Sequence, residues 1–466
     1  MSRDGNFAVL ILAAGLGTRM KSSLPKVLHP VGGLPMLCRV IKSVSFLKPG
    51  KIAVVTGQKA ALVEERLKAH LEETPDLPAV EFYRQKLLKG SGRAVQEAFK
   101  TVKNFNKIMI LCGDAPLFRP ATLGRFVSFF RREKCDAAVL TADLDNPSGY
   151  GRIKRGIYGN VEAIVESSDA DSAEQNIKEV NSGVYVFRAG ALRDAIKDLK
   201  RKGPKREYYL TDSMENAFKR GRKVLAFKIE DWREMTGINS RKELALAGKI
   251  VNKRTNDALM SAGVTILDPD NTYIDETVKI GRDTVIYPGV HIRGGTIIGK
   301  NCKIGPAGLI DDCKISDNVE IKFACCIYSS RIRENSAIGP FSSVRPGSDI
   351  GPGAKIGNFS EVKKSRIGKK SKVPHLSYIG DTEMGSGVNI GAGTITCNYD
   401  GVNKYKTIIK NRVFVGSNTN LIAPVKIGEK AYIAAGSTIT RNVPPHVLAI
   451  ARAKQEIKTF KKKIFK

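Results

Sequence analysis

The chain has 466 residues, of which 42% are hydrophobic and 7% aromatic, and this is enough apolar material for two or three ordinary cores. The composition excludes a short peptide module, a collagen-like fibre and a wholly disordered chain. Lys and Arg (77) outnumber Asp and Glu (46), and the formal charge of +31 favours polyanions, phosphorylated metabolites or acidic membrane surfaces without choosing among them.

The apolar runs, such as residues 7–14, are far shorter than the roughly 20 residues of a membrane-spanning helix. Residues 1–6 lack the zones of a signal peptide and lead directly into a strand-like run. The eight cysteines form no C-x-x-C pair, so neither a disulfide framework nor a zinc site is expected. We therefore expect a cytoplasmic protein with reduced thiols and no stable membrane insertion.

Short β-branched runs alternate with helix-like stretches in the first half of the chain. The runs cover residues 7–12, 52–56, 80–83, 107–112 and 137–141. Strands separated by helices predict right-handed crossovers and a mostly parallel sheet covered on both faces, which is an α/β domain. Good helix formers after Asn239 predict a connecting helix between about residues 239 and 260.

Single aliphatic residues recur about every six positions after Gly263, and many are followed by glycine, as in Ile304-Gly305 and Ile350-Gly351. Six residues make one face of a three-sided parallel β coil, so each aliphatic residue is expected in a narrow core and each Gly or Asn at a corner with positive φ. The period is interrupted at residues 396–406, and an insertion of this kind predicts a functional loop.

A glycine-rich segment follows the first predicted strand. It reads Leu12-Ala13-Ala14-Gly15-Leu16-Gly17-Thr18-Arg19-Met20, with Leu24-Pro25-Lys26 shortly after. Small residues let backbone amides approach phosphate groups, while Arg19 and Lys26 are suited to neutralise their charge. The segment matches neither G-x-x-x-x-G-K-[ST] nor G-x-G-x-x-G, so a simple tight turn remains an alternative on these residues alone.

Further motifs stand at intervals along the same half. They are Gln85, Gly90-Ser91-Gly92, Cys112-Gly113-Asp114, Gly149-Tyr150-Gly151-Arg152-Ile153, Glu166, Asn181-Ser182-Gly183 and Gly237-Ile238-Asn239. With the glycine-rich segment they resemble the sugar-nucleotide pyrophosphorylases, most closely the uridylyltransferase half of the bifunctional bacterial enzymes of UDP-N-acetylglucosamine synthesis. The resemblance implies a Rossmann-like nucleotidyltransferase domain that binds UTP.

The resemblance also implies Asp114 and Asn239 as Mg²⁺ ligands, and because attack on the α-phosphorus of UTP needs positive charge near the phosphates, we expect Arg19 and Lys26 to be catalytic. The implied nucleotide-sugar site comprises Leu12, Ala13, Ala14, Gly15, Lys26, Gln85, Gly90, Ser91, Cys112, Gly113, Asp114, Gly151, Glu166, Asn181 and Asn239. Ser91 and Cys112 depart from the family pattern, which usually has Thr and Tyr there. By residue type alone, Asp114 also suits a helix N-cap, Asn181 and Asn239 suit turns, and Glu166 a solvated strand end.

Polar residues are dense in one part of the predicted coil. They are Arg345, Glu361, Lys363, His375, Tyr378, Asn389, Asn398 and Tyr399. Arginine, lysine and tyrosine suit a sugar phosphate, and an imidazole suits proton removal from an amine, although a lone histidine is more often structural. Cys397 has no neighbouring base in the sequence, which argues against an acyl-enzyme.

The segments 361–364, 374–381 and 389–401, together with Lys404, resemble the acetyltransferase half of the same bifunctional enzymes. The resemblance implies a left-handed parallel β-helix of hexapeptide repeats that forms a homotrimer with active sites at subunit boundaries. It implies His375 as the general base on glucosamine 1-phosphate, with Glu361 orienting the base or the amine. Arg345, Lys363, Tyr378 and Asn389 would bind that substrate, and Ala392, Asn398, Tyr399, Ser417, Ala435 and Arg452 would bind acetyl-CoA.

The predicted organisation is a uridylyltransferase domain (1–238), a linker helix (239–262) and an acetyltransferase β-helix with a basic tail (263–466). The substrates are then UTP, glucosamine 1-phosphate, N-acetylglucosamine 1-phosphate and acetyl-CoA, with Mg²⁺ in the first domain only. One alternative is a single-activity nucleotidyltransferase whose β-helix is structural or regulatory. A nucleic-acid-binding scaffold is a second alternative, but the sequence offers no aromatic-lined basic module for it, and we expect no nucleic-acid partner.

Overall fold

The computed structural model describes residues 6–15, 17–73, 77–203 and 206–459. Residues 1–5, Leu16 of the glycine-rich segment and residues 460–466 of the basic tail entered the predictions and lie outside the described residues. The chain divides into two compact units, Met1–Lys249 and Ile250–Lys466. Within the described ranges, no helix combines the length and the apolar character needed to cross a membrane.

The first unit alternates strands and helices, as the sequence predicts. Its strands are β1 (Phe7–Ala13), β2 (Pro30–Val31), β3 (Leu34–Pro35), β4 (Lys51–Thr56), β5 (Glu81–Arg84), β6 (Lys107–Cys112), β7 (Ala137–Asp143), β8 (Arg152–Arg155), β9 (Val161–Val165), β10 (Glu179–Arg188), β11 (Arg201–Lys202), β12 (Glu207–Tyr208) and β13 (Val224–Ile229). Its helices are α1 (Met36–Ser45), α2 (Ala60–Glu73), α3 (Ser91–Ala98), α4 (Pro120–Arg132), α5 (Ser172–Gln175), α6 (Ala189–Lys197) and α7 (Asp212–Lys219). All five predicted strands are confirmed, with small differences at their ends.

The central sheet has the strand order β13-β7-β10-β6-β1-β4-β5. Along this order pairing is parallel except for β10, which runs antiparallel to β6 and β7, so the prediction of a mostly parallel sheet is confirmed. The strands β8 and β9 of the same sheet form an antiparallel branch beside β10. Alternate residues of β1 enter opposite cores, since Val9 packs with α1, α2 and α4 and Leu10 packs with α3 and α6. The carboxyl ends of β1, β4 and β6 and the amino end of β10 therefore lie at one edge, where ligands bind in such sheets.

The predicted connecting helix is α8, Arg241–Ser261. The division between the two units falls within this helix. Glu243 in its first turn accepts hydrogen bonds from the backbone amides of Asn239 and Ser240, each at 2.7 Å. Because these amides have no partner within the helix, the carboxylate satisfies the helix start.

The second unit is a coil with three parallel sheets. The first face has the strands Thr265–Ile266, Val285–Ile286, Lys303–Ile304, Glu320–Ile321, Ala337–Ile338, Lys355–Asn358, Lys372–His375, Asn389–Ile390, Phe414–Val415, Tyr432–Ile433 and Leu448–Ala449. The second has Tyr273–Ile274, His291–Arg293, Leu309–Asp311, Cys326–Tyr328, Ser343–Val344, Glu361–Lys363, Tyr378–Gly380, Ile395–Cys397, Asn420–Ile422 and Thr438–Ile439. The third has Lys279–Ile280, Ile297–Ile298, Lys314–Ile315, Arg331–Ile332, Asp349–Ile350, Arg366–Ile367, Thr382–Met384, Thr407–Ile409 and Val425–Ile427.

The recurring aliphatic residues of the coil are buried in one core, which confirms the six-residue period. Corner asparagines such as Asn318 and Asn335 have a φ of 58°, as expected. Most glycines that follow the aliphatic residues have a different role from the predicted one, because glycines such as Gly305 and Gly351 are not in the left-handed region, whereas Gly339 has a φ of 95° as predicted. A Cβ on Gly305 would lie 2.7 Å from the carbonyl carbon of Lys322 on the next coil, so these glycines permit close stacking of the coils.

Candidate active sites

A cavity of about 380 Å³ opens at the edge of the first unit's sheet where β1 and β6 end. Predicted residues that line it are Leu12, Ala13, Ala14, Gly15, Lys26, Gln85, Gly90, Ser91, Cys112 and Asp114. Thr18 and Glu207 also line the cavity and were not predicted. The structure thus brings the glycine-rich segment together with Gln85, with Gly90-Ser91 and with the Cys112-Gly113-Asp114 motif at the end of β6.

Two glycines shape the mouth of this cavity. Gly17 has a φ of 62°, and a Cβ there would lie 2.7 Å from Cβ of Lys26, so glycine lets the loop pass close to that lysine. Gly90 has a φ of 95°, and its Cβ would lie 2.6 Å from the carbonyl oxygen of Tyr208. Both positions therefore need glycine for conformation and for space.

Lys26 joins the two predicted Mg²⁺ ligands. Its ammonium forms an ion pair with Oδ2 of Asp114 and donates a hydrogen bond of 2.9 Å to Oδ1 of Asn239. The backbone amide of Ile238 donates to the carbonyl oxygen of Asp114 at 2.9 Å, which brings Asn239 to the end of β6. Asp114 caps no helix, since α4 begins at Pro120, and the N-cap alternative is therefore wrong.

The donor set at this point fits a magnesium ion. One carboxylate oxygen and one amide oxygen, contributed by distant parts of the chain, already converge on a single cation, the Lys26 ammonium. Mg²⁺ prefers hard oxygen ligands and is often bound by one or two protein groups together with substrate phosphates. The described residues contain no group of three or more His, Cys, Asp or Glu side chains arranged to hold a metal.

Arg19, the other predicted catalytic cation, lies exposed in the turn Thr18–Met20. Its positive charge acts on Glu243 at the start of α8. Burial alone would raise the pKa of Glu243, but hydrogen bonds from Asn239 and Ser240 and the field of Arg19 outweigh it and lower that pKa. Glu243 therefore stays ionised and fixes the backbone of Asn239.

Gln85, Ser91 and Cys112 place uncharged polar groups on the side of the cavity assigned to the base. Gln85 is 9% exposed and donates from Nε2 to the carbonyl oxygen of Leu87 at 2.7 Å. The Ser91 hydroxyl accepts a hydrogen bond of 3.2 Å from the amide of Leu210. Removal from water, reinforced by Asp114, raises the pKa of Cys112 to about 12, so the side chain is a neutral thiol where the family usually has Tyr.

The residues assigned to the sugar form a network beside this cavity. The Asn181 amide donates to the carbonyl oxygen of Gly151 at 2.8 Å, and its side chain donates to the Tyr185 hydroxyl at 2.8 Å across a bulge in β10. Glu166 accepts a hydrogen bond of 2.7 Å from the Thr211 hydroxyl, and its pKa is raised chiefly by burial. Glu166 is therefore not a solvated charge, while Oδ1 of Asn181 also accepts a hydrogen bond of 2.9 Å from the Gly183 amide, which agrees with the turn alternative for that residue.

Thr211 and Tyr185 were missed by sequence analysis. Thr211 precedes α7, where a threonine normally caps the helix with its hydroxyl, but its hydroxyl donates to Glu166 instead. Tyr185 occupies an ordinary inward position of a strand and is 3% exposed. In the sequence, nothing distinguishes Thr211 from an ordinary helix cap or Tyr185 from an ordinary core aromatic residue.

His375 ends the strand Lys372–His375 and is exposed at a corner of the coil. Its Nδ1 lies 2.8 Å from Oδ1 of Asn358, the residue paired with it on the preceding coil. An amide oxygen only accepts, so the hydrogen is on Nδ1 and the lone pair on Nε2 points away from this contact. Asn358 was not predicted, and it occupies the orienting position that the sequence analysis gave to Glu361.

Glu361 binds Arg345 instead, with Oε1 accepting a hydrogen bond of 2.9 Å from Nη1. Arg345 and Lys363 follow equivalent core residues on neighbouring coils, and Tyr378 pairs with Glu361 on the next coil. These four residues therefore cluster on the second face. Asn389 begins a strand of the first face, at the end away from the His375 corner, and does not join this cluster.

Residues assigned to acetyl-CoA lie along the corner that His375 starts. Ala392, Ser417 and Ala435 each stand two residues after a buried aliphatic of the first face, on three successive coils. Arg452 donates from Nη1 to the carbonyl oxygen of Ala435 at 2.7 Å. His375 stands at the equivalent position, two residues after the buried Val373, on the coil before Ala392.

The insertion that interrupts the period carries Asn398 and Tyr399. Asn398 is 6% exposed, and its amide donates to Oδ2 of Asp381, whereas Tyr399 is 58% exposed. Cys397 is half-buried, and its pKa is raised by that burial, so it is not an activated nucleophile. Cys397 therefore gives no support to an acyl-enzyme on this segment.

Comparison with known proteins agrees with both halves of this description. Residues 9–209 match the MobA-like NTP transferase domain, and residues 277–306, 329–364 and 406–441 match the bacterial transferase hexapeptide (six repeats). The first unit is a Rossmann-like nucleotidyltransferase domain and the coil is a left-handed parallel β-helix. A solved apo UDP-glucose pyrophosphorylase covers 53% of this chain and 98% of its own, with a TM-score of 0.45 and 18% identity, and this likeness is too low to add to the assignment.

Relatives of nearly the whole chain are more informative. The "Bifunctional protein GlmU" of Geotalea uraniireducens is 46% identical over 97% of this chain and 97% of its own. The proteins of the same name from Geotalea daltonii and Clostridioides difficile are 46% and 45% identical over 96% and 97% of this chain, and over 97% and 96% of their own lengths. The chain belongs to the family of the bifunctional protein GlmU.

Proposed function

We propose that the chain makes UDP-N-acetylglucosamine in two reactions. The β-helix transfers an acetyl group from acetyl-CoA to glucosamine 1-phosphate, and the α/β unit joins the product to UMP from UTP and releases pyrophosphate. The observation that carries this proposal is the presence of two separate polar sites, around Asp114 and His375, in one chain whose relatives are bifunctional. Residues 1–238 serve the uridylyl reaction and residues 263–466 serve the acetyl reaction, and residues 239–262 link the two domains.

For uridylyl transfer, the cavity from Leu12 to Ser91 takes the uridine, and Glu166 and Asn181 bind the sugar. Asp114 and Asn239 would hold Mg²⁺, which when bound neutralises charge on the triphosphate. Arg19 and Lys26 are the cations available to the phosphates. A phosphate oxygen of the sugar phosphate attacks the α-phosphorus and the bond to the β-phosphate oxygen breaks, so positioning and charge suffice without a protein nucleophile.

For acetyl transfer, Arg345, Lys363, Tyr378 and Asn389 bind glucosamine 1-phosphate. The neutral 2-amino group attacks the thioester carbonyl, Nε2 of His375 takes the proton from the nitrogen, and CoA leaves as the thiol after protonation. Asn358 holds the tautomer that keeps Nε2 free for this step. General-base assistance of this kind contributes about 10²- to 10⁴-fold.

Hexapeptide coils fit oligomers, and we propose a homotrimer. Within one chain, Asn389 stands apart from the Arg345 cluster and the side chain of Tyr399 is exposed, so neighbouring subunits would complete each acetyl site. The substrates UTP and acetyl-CoA place the proposed activity in the cytoplasm. Size determination in solution tests the trimer directly, and an active monomer would contradict it for the acetyl reaction.

Two variants test the assignment of one reaction to each unit. Asp114→Ala is expected to abolish pyrophosphate release and leave release of CoA intact, because Asp114 serves only the first unit. His375→Ala is expected to do the reverse. If the β-helix is only structural, His375→Ala will change neither rate, and the single-activity alternative replaces the proposal. Thermal unfolding of each variant controls for loss of fold.

A further inference from the structure

The insertion forms a short hairpin, defined as the arm (residues 398–405), that is closed by its own hydrogen bonds. The Tyr405 amide donates to the Asn398 carbonyl oxygen at 2.8 Å. At the tip, Oδ1 of Asp400 accepts from the amides of Val402 and Asn403 at 2.8 and 2.6 Å. Hydrogen bonds among the arm's own residues therefore hold its hairpin shape.

One residue of the coil, Asp381, contacts both sides of the arm's base. Its carboxylate accepts a hydrogen bond from the Asn398 side chain, and its carbonyl oxygen accepts from the amide of Thr407 at 3.2 Å. Its own amide donates to the carbonyl oxygen of Lys363 at 3.0 Å. Asp381 thus connects the arm to the strand that carries a proposed sugar-phosphate ligand.

We propose that Asp381 is a positioning residue that fixes the direction of the arm, and with it the acyl-donor half of the acetyl site, relative to the sugar-phosphate half. The inference rests on the proposed acetyl transfer. Asp381 itself need not touch either substrate. It acts through Asn398, whose side chain it binds, and through the strand Glu361–Lys363, to which its backbone is bonded.

The chemistry of the contact makes this role specific. Asn398 is 6% exposed, so its amide loses water on folding and depends on the carboxylate for a partner. A carboxylate acceptor makes a stronger hydrogen bond than a neutral one. Asp381 has a φ of 47°, a conformation that Gly, Asn and Asp adopt more readily than other residues.

The coil beside the arm does not need this contact. Ile379 and Leu421 of the adjacent strands are fully buried in the common core, and the strands that flank the arm, Ile395–Cys397 and Thr407–Ile409, pair with strands of the coils before and after them. Loss of the Asp381 carboxylate is therefore expected to release the arm while the coil stays folded.

The test compares Asp381→Gly, which removes the carboxylate at a position with left-handed φ, with Asp381→Asn, which keeps an oxygen acceptor and the same shape. Steady-state acetyl transfer is measured against each substrate, and pyrophosphate release by the first unit serves as an internal control. We expect Asp381→Gly to raise KM for acetyl-CoA about tenfold, the size of one lost hydrogen bond of this type. KM for glucosamine 1-phosphate should change less than about twofold, and Asp381→Asn should restore much of the loss.

Limited chymotrypsin digestion gives a readout that does not depend on activity, because the arm contains Tyr399 and Tyr405. Faster cleavage at these residues in Asp381→Gly than in Asp381→Asn supports a released arm. The inference is overturned if Asp381→Gly matches the unmodified chain in KM and cleavage, or if KM rises equally for both substrates. Absence of acetyl transfer in the unmodified chain would instead overturn the proposed function.

Discussion

The hydrogen bond between His375 and Asn358 gives the sharpest prediction for the acetyl site. Asn358→Ala removes the acceptor for Nδ1–H, so the imidazole loses both its fixed orientation and the preference for a free Nε2. A neutral hydrogen bond contributes about 0.5–1.5 kcal/mol net. At about 1.4 kcal/mol for each factor of ten in rate, kcat should fall about two- to tenfold.

This loss is much smaller than the loss expected on removal of the base itself. His375→Ala should lower kcat by about 10²- to 10⁴-fold. Asn358→Asp keeps an oxygen acceptor facing the ring and should retain more activity than Asn358→Ala. Lys355→Ala serves as a matched control, because Lys355 is exposed on the same strand and faces Lys372 on the next coil rather than His375.

The assay follows the free thiol of CoA at saturating acetyl-CoA over a range of glucosamine 1-phosphate concentrations. Asn358→Ala is expected to lower kcat and to leave KM for glucosamine 1-phosphate nearly unchanged, since Asn358 acts on the base and not on the substrate. This expectation is refuted if Asn358→Ala has the kcat of the Lys355→Ala control, or if the whole effect of the substitution is on KM.

Three further predictions concern the other parts of the molecule. Burial raises the pKa of Glu166 in the folded state, so the ionised carboxylate lowers the stability of the fold at neutral pH. This loss of stability disappears as the pH falls through the raised pKa. Glu166→Gln should therefore raise the melting temperature at pH 7–8 but not at acidic pH, and it should weaken sugar binding. A chelator should stop pyrophosphate release and leave CoA release intact, because the proposed metal ligands belong to the first unit; equal loss of both would contradict this. Ile350→Ala in the fully buried coil core should destabilise the coil by about 2–4 kcal/mol, seen as a lower denaturation midpoint, and an unchanged midpoint would contradict its role in the core.

The β-helix could be predicted from sequence in detail because its signal is local and repeated. Each six-residue unit places one aliphatic residue in the core, so Ile304, Ile321 and Ile338 show the same pattern without knowledge of distant contacts. The role of the glycines could not be predicted in this way. It depends on how closely the next coil approaches, and this distance is a property of stacking rather than of one repeat.

The partners of the site residues were the least predictable feature. The family resemblance implied that Glu361 orients the base or the amine. The stacking register instead places Asn358 beside the imidazole and leaves Glu361 opposite Arg345. Likewise, the ion pair of Lys26 with Asp114 joins residues that only the folded sheet brings together.

Two reactions in one chain are the central claim, and one purified sample measured in two assays tests it most directly. The first assay follows CoA released from acetyl-CoA and glucosamine 1-phosphate, and the second follows pyrophosphate released from UTP and N-acetylglucosamine 1-phosphate with Mg²⁺. We predict that both products form. Pyrophosphate without CoA release, from a sample shown to be folded and oligomeric, would contradict the claim and leave a nucleotidyltransferase with a structural β-helix.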